Sequence, residues 1–257
     1  MALNNRQETI LKALRQNGEV EVDALASEWS VTTQTVRRDL NELCDAGLAL
    51  RTHGGAKRMV ASSAIAYEDR RLKHTAAKGS VAEAAAKIIP NGASLALNIG
   101  TTTELVAESL RLHDDLTVVS NNINIVHILR ASRLKSLVLI GGDVRLSDGA
   151  VVGEDAVKAI SNFKVDYAII GASSLDADGS VLDFDQREVS VSRAILENAR
   201  KRILVADVSK FDVPAPIRIC NAKDLDYVIL DAPPPPSFAA SLRAQDTDLI
   251  ITGDLDV

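Results

Sequence analysis

Val31-Thr32-Thr33-Gln34-Thr35-Val36-Arg37-Arg38-Asp39-Leu40 is the stretch on which the reading of this chain turns. As a helix starting after Thr32, it places Val36, Leu40 and Leu43 on one face at spacings of four and three. The other face carries Gln34, Arg37, Arg38 and Asn41, side-chain types that reach base edges and phosphates in a DNA major groove. The Thr32 hydroxyl can accept a backbone N–H of the first turn and cap the helix. An amphipathic surface helix with a solvated charged face has the same pattern, so the decapeptide must be judged with its neighbours.

Upstream, Asn4 or Asn5 can cap a helix carrying Ile10, Leu11 and Leu14, which Asn17-Gly18 ends. Glu19-Val20-Glu21-Val22 alternates as a short extended entry. Asp23 is expected to cap a second helix, with Leu25, Ala26 and Trp29 facing inward. Only Ser30 and Val31 separate it from the third helix, which ends at Ala46-Gly47, and the outline is a helix-turn-helix. Downstream, Leu48–Thr52 reads as a strand, His53-Gly54-Gly55 as a tight turn and Ala56-Lys57-Arg58 as the return strand. Such a hairpin beside a helix-turn-helix is a wing. Its glycines let backbone approach phosphate, while Arg51, Lys57 and Arg58 supply charge. The DNA-facing set is then Thr32, Thr33, Gln34, Thr35, Arg37, Arg38 and Asn41 from the helix, with Arg51, His53, Gly54 and Lys57 from the wing. Arg38 is placed on phosphate or on Glu42 at i+4.

This segment resembles the DeoR family of bacterial transcription repressors. That winged helix-turn-helix ends in an Arg-Arg-Asp-Leu helix followed by an Arg-x-His-Gly-Gly-Ala wing, present here as Arg37–Leu40 and Arg51–Ala56.

The length suggests one large or two modest domains. With 257 residues, 46% of them hydrophobic, the chain can fill a real core. No apolar run approaches the roughly 20 residues that span a bilayer, and Met1–Ile10 lacks the apolar middle of a secretory signal. The two cysteines, Cys44 and Cys220, suggest neither a disulfide framework nor a zinc site. The expectation is a cytoplasmic, soluble protein without metal or cofactor. The net charge is −6, yet residues 1–78 carry +2 and the remainder −8, so the acidic excess lies wholly in the C-terminal part. DNA contact confined to one end fits that distribution. The expected division is a DNA-binding domain over 1–58, a linker over 59–75 and a second domain over 76–257.

Met59–Ala66 is small and weakly patterned, and Glu68–Ile89 reads as one helix stopped by Pro90-Asn91-Gly92. Thereafter β-rich apolar runs alternate with helical segments. The strands are expected at Ser94–Asn98, Leu116–Val119, Ser136–Ile140, Asp166–Ile170, Arg202–Ala206, Tyr227–Leu230 and Leu249–Ile251. This alternation predicts an α/β domain with an open, mostly parallel sheet and ligands at the C-terminal strand ends. Asn98-Ile99-Gly100-Thr101-Thr102-Thr103 joins a strand to a helix, where free N–H groups and hydroxyls make a phosphate site. Thr101-x-x-Glu104 equally fits an ordinary capping box. Ser120-Asn121, Gly141-Gly142, Gly171–Ser174 and Asp207-x-Ser209-Lys210 end further strands. Together these polar ends favour a pocket for a phosphorylated polyol or sugar.

The resemblance covers this half too. It implies an effector-sensing domain related to ribose-5-phosphate isomerase, with the phosphate loop at Gly100–Thr103, Asn121, Gly141-Gly142, Asp207 and Lys210. Asn98, Ser120 and Glu188 complete the expected effector set. Ile89–Gly92, Asp183-Phe184-Asp185, Arg193-Ala194-Ile195 and Asp231–Pro235 add likeness to the branch of the family that governs glycerol-3-phosphate genes. The resemblance therefore implies glycerol-3-phosphate as effector, operator DNA as partner and a homo-oligomer, a tetramer. One departure is Asn98, which stands where the family usually has Asp and removes a carboxylate from the pocket.

The expected function is a repressor whose DNA affinity falls when a sugar or polyol phosphate binds. The rival is a sugar-phosphate isomerase carrying a DNA-binding domain, with Glu188 as base. That chemistry needs further polar groups, and the strand end Gly171-Ala172-Ser173-Ser174 carries no carboxylate.

Overall fold

The structure is a computed structural model and describes residues 4–45, 48–52, 54–58, 63–243 and 245–254. The chain divides into two compact units, Met1–Ser63 and Ala64–Val257.

In the first unit, α1 (Asn5–Asn17) is capped by Asn4, whose side chain accepts the Gln7 N–H while the Gln7 side chain accepts the Asn4 N–H. After β1 (Glu19–Glu21) come α2 (Val22–Trp29) and α3 (Thr33–Asp45), then β2 (Ala49–Arg51) and β3 (Gly55–Arg58). The three strands form an antiparallel sheet in the order β1-β3-β2. Ile10, Leu14, Leu25, Val36, Leu40 and Leu43 are buried in one core, with Trp29 packed against it.

Two local expectations change. Asp23 does not cap α2, which begins one residue earlier at Val22. The Val22 N–H is taken by the Gly54 carbonyl at 2.9 Å, so the wing turn caps this helix from outside. Gly55 is required for packing, because a Cβ there would collide with the Val20 carbonyl of β1. Ala46, Gly47, His53 and residues 59–62 lie outside the described residues, and with them the expected helix end, part of the turn and the first residues of the linker expected over 59–75. The remainder of that linker holds a helix, Ser63–Leu72.

The second unit opens with α4 (Ser63–Leu72) and α5 (Thr75–Ile88). The single helix expected over Glu68–Ile89 is thus two, broken at His74, which adopts φ 53°. Thr75 Oγ1 donates to the Leu72 carbonyl there, a side-chain bond that competes with continuation of the helix. Then follow β4 (Ser94–Leu97), α6 (Thr101–Ser109), β5 (Leu116–Ser120), α7 (Ile123–Leu129) and β6 (Leu134–Leu139). The hairpin β7 (Asp143–Arg145) and β8 (Ala150–Val152) precedes α8 (Glu154–Ile160), β9 (Val165–Ile170), β10 (Ser174–Leu175) and β11 (Ser180–Asp183). The chain closes with α9 (Gln186–Glu197), β12 (Ala199–Ala206), β13 (Ile217–Asn221), β14 (Tyr227–Leu230), α10 (Pro236–Arg243) and β15 (Asp248–Ile251).

Seven strands form one sheet in the order β15-β14-β12-β9-β4-β5-β6, with every pairing parallel. These are the seven strands expected from the apolar runs. Alternation along β4 explains the layering: Leu95 and Leu97 join the cluster with α5, α6 and α7, whereas Ala96 joins that with α8, α9 and α10. Both faces are covered, which is why the strands read as near-continuous apolar runs. The elements not foreseen are antiparallel: β10-β11-β13 and the β7–β8 hairpin.

The strand order reverses between β4 and β9. Chain progress runs from β4 through β5 to β6 on one side and from β9 through β12 on the other. A crevice opens at such a switch point, beyond the carboxyl ends of the strands.

Candidate functional site

On the first unit, Thr32 caps α3 through its hydroxyl, which accepts the Thr35 N–H at 3.2 Å and lies 2.9 Å from the Thr35 hydroxyl. Those two hydroxyls are held within the turn. Thr33, Gln34, Arg37 and Arg38 are exposed. Arg38 sits 3.5 Å from Glu42, the i+4 pair anticipated, and both are well exposed. Asp39 is turned inward and is 1% exposed. It accepts from Arg6 Nε at 2.7 Å and from Asn4 Nδ2 at 3.3 Å, locking α3 to α1. Asn41 accepts from Arg51 at 2.5 Å, so the wing strand β2 is tied to the outer face of α3. Among the described residues, Thr33, Gln34 and Arg37 are then side chains of that end of the helix that make no side-chain hydrogen bond or ion pair, and Gln34 and Arg37 are the long ones.

On the second unit, α6 starts at Thr101 with Gly100 before it at φ 142°, and no side chain caps it. The Thr101–Glu104 capping box does not form, because Thr101 is already inside the helix. Thr103 Oγ1 instead donates back toward the Asn98 and Gly100 carbonyls. The first N–H groups of a helix have no intrahelical acceptor, and the helix dipole adds positive potential there.

Across the crevice, Asn98 clamps β4 to β9. Its Oδ1 accepts the Gly171 N–H at 3.0 Å, and its Nδ2 donates to the Gly171 carbonyl and Ser192. An aspartate here could accept from Gly171 but could not donate, so the amide is suited to bridging. Ser120 is likewise internal, donating to the Leu97 carbonyl and accepting the Asn122 N–H. Asn121 donates to the Val151 carbonyl of the hairpin, which leaves its buried Oδ1 without a partner. Gly142 packs its backbone against Val151 and the start of α8.

Asp207 and Lys210 lie beyond β12. One Asp207 oxygen accepts from Ser209, and the other is buried with no partner among the described residues. Burial pushes the Lys210 ammonium down, opposed by Asp207. Glu188 is pushed up to about 8 by burial and by nearby Asp183, although Arg145 donates to it at 2.7 Å. Arg145 also donates to Asp148 at 2.6 Å and to Asp185 at 2.9 Å. Burial opposes the Arg145 charge, but those carboxylates more than offset it and raise its pKa.

Sequence reasoning did not single out Lys78. It is 2% exposed, and its Nζ donates to the Arg70 carbonyl. Burial, then the Lys210 charge, pushes Lys78 down to about 8, while Asp207 and Glu104 pull it the other way. A buried ammonium without a carboxylate in hydrogen-bond contact is costly. A signal was present: Lys78, Val81, Ala82 and Ala85 share the buried face of α5 at helical spacing. The charges of Lys210 and Asp207 thus act on Lys78, and those of Asp207 and Asp183 on Lys210. Asn121 lies three strands from Asp207, roughly 14 Å at ordinary strand spacing, so one small ligand cannot touch both.

Residues 6–61 match the DeoR-like helix-turn-helix domain and residues 73–232 the DeoR C terminal sensor domain. The chain belongs to the DeoR family. Among its curated relatives is the glycerol-3-phosphate regulon repressor of Haemophilus influenzae, 41% identical over 96% of each chain. The protein of the same name from Escherichia coli K12 is 41% identical over 92% of this chain and 94% of its own. Among solved structures, ribose 5-phosphate isomerase from Plasmodium falciparum overlays 52% of each chain at a TM-score of 0.37 and 15% identity. Among the described residues, no helix is long and apolar enough to cross a membrane, and no cluster of His, Cys, Asp and Glu could hold a metal.

Proposed function

We propose that this family member is a transcriptional repressor that binds operator DNA through α3 and the β2–β3 wing and releases it when a phosphorylated polyol binds the second unit. Glycerol-3-phosphate is the proposed effector. On the DNA side, Gln34 and Arg37 read base edges, with Asn41 joining them when Arg51 turns to a phosphate. Arg38 and the wing, including Lys57 and His53, hold the backbone. On the effector side, the phosphate lies on the N–H groups of Thr101–Thr103 between Lys78 and Lys210, and the polyol hydroxyls donate to Asp207. Asn98, Ser120, Asn121 and Gly141-Gly142 shape and brace the strand ends around it, and Glu188 bounds the far side through Arg145.

The observation that carries this reading is Lys78. Its ammonium is disfavoured by burial and by the Lys210 charge, and an anion held between the two lysines and on the N–H groups at the uncapped start of α6 would offset both. Full-length similarity to glycerol-3-phosphate regulon repressors supports the choice of anion. Thermal shift against phosphorylated three-, five- and six-carbon compounds tests it, since a ligand raises the melting temperature in proportion to the logarithm of its excess over Kd. Glycerol-3-phosphate should give the largest shift, and no shift from any compound refutes the effector assignment.

One observation favours a second reading: Glu188, at about 8, titrates where a general base for isomerisation would. Against it, the Glu188 carboxylate already accepts from Arg145, and Gly171–Ser174 bears no second acid. Turnover of ribose-5-phosphate by the purified protein would decide for the enzyme.

A further inference from the structure

Glu104, one turn into α6, has a conspicuous environment. It is 5% exposed, and among the described residues no lysine or arginine pairs with it. Three neutral donors hold its carboxylate instead. Tyr67 Oη donates at 2.6 Å, Asn122 Nδ2 at 3.0 Å and Asn124 Nδ2 at 3.0 Å. The Asn124 amide also lies 2.9 Å from Tyr67 Oη and 3.1 Å from the Asp148 carbonyl, next to the Arg145 pair. Tyr67 itself is 6% exposed and belongs to α4, the first helix after the wing in the chain. Burial and then Glu104 raise its hydroxyl pKa, so it stays a donor at any physiological pH.

We infer that the Tyr67–Glu104 hydrogen bond is the positioning contact through which the start of α6 controls α4, and through α4 the DNA-binding unit. The inference rests on the effector reading given above. Glu104 shares its helical turn with Thr101–Thr103, and its charge favours the Lys78 ammonium. A phosphate arriving at that turn adds negative charge beside the carboxylate and competes for the Lys78 ammonium. The carboxylate then depends more heavily on its neutral donors, and Tyr67 is the only one of the three that α4 contributes. The response reaches α4 because a phenol hydroxyl cannot follow the carboxylate without its ring and helix. A ligand shifts such an equilibrium only by its differential affinity for the two arrangements, and this bond is where the difference arises.

The test uses the full chain, DNA from upstream of its own operon and glycerol-3-phosphate. Tyr67→Phe keeps the buried ring and removes the donor; Glu104→Gln keeps the shape and removes the charge. In the unaltered protein, saturating glycerol-3-phosphate should weaken DNA binding by about tenfold or more. Tyr67→Phe should bind DNA without effector and keep the thermal shift with glycerol-3-phosphate, yet lose most of the release. Release by the same factor as in the unaltered protein would overturn the coupling role and leave the effector reading intact. If Tyr67→Phe binds no DNA even without effector, Glu104→Gln decides by the same criterion. If the unaltered protein fails to respond, the effector reading and this inference fall together.

Discussion

The outer face of α3 and the start of α6 both present polar groups on a helix, and they leave them in opposite states. On α3, Gln34 and Arg37 stand in water, where they are solvated and cost nothing to display. A buried acid of that helix, Asp39, has its partner in Arg6. In the second unit, by contrast, Lys78 and Glu104 are both buried, and among the described residues neither has an ion partner in hydrogen-bond contact. An exposed, complete helix awaits a large surface that strips its water. A buried pair of charges suits a small charged group, as the proposed effector would be. The contrast is the physical ground for the proposed division of labour between a DNA reader and a sensor.

The largest effect should come from breaking the incomplete side. Lys78→Met removes the buried charge and keeps the bulk, and glycerol-3-phosphate affinity should fall by about 100-fold, the scale of a charge-assisted hydrogen bond. DNA binding without effector should persist, and the melting temperature at neutral pH should hold or rise. Unchanged effector affinity would remove Lys78 from the site. On the exposed side, Arg37→Ala should cost about 1–3 kcal/mol on operator DNA and relax preference at one base pair. Equal losses on operator and random DNA would reassign Arg37 to phosphate.

A smaller effect follows from pH. Lys78 sits at about 8 when folded against 10.5 ordinarily, so the unfolded chain binds more protons between those values. Its contribution to stability therefore rises with pH across that window and is lost as pH falls through about 8. Effector binding runs the other way, because the phosphate needs the charged ammonium. Glycerol-3-phosphate should bind about tenfold more weakly at pH 9 than at pH 7, as about one unit above the pKa implies. The phosphate stays a dianion throughout, its second pKa being about 6. Lys78→Met should abolish this dependence.

The same contrast marks what sequence could disclose. Exposed α3 was legible because its pattern is local: Val36, Leu40 and Leu43 face in, Gln34 and Arg37 face out. The seven parallel strands were legible because burial on both faces demands apolar runs. The β7–β8 hairpin and β10, β11 and β13 were not, since strands of two to five residues between turns carry too little periodicity. The break at His74 has no proline or glycine to announce it. Strand-end residues such as Asp207 and Lys210 could be placed by their position after an apolar run. Asn98 and Ser120 could not be told from ligand contacts, because what occupies their side chains comes from other strands and helices. Lys78, Tyr67 and Arg145 gain their significance only where distant segments meet.

The central claim is that one chain joins the exposed reader to the incomplete pocket so that filling one empties the other. Operator binding with and without glycerol-3-phosphate, on DNA from upstream of the protein's own operon, measures this directly. We expect the Kd for that DNA to rise by about tenfold or more with glycerol-3-phosphate, a typical allosteric coupling, and to stay unchanged with glycerol. A Kd that glycerol-3-phosphate leaves where it was would contradict the account.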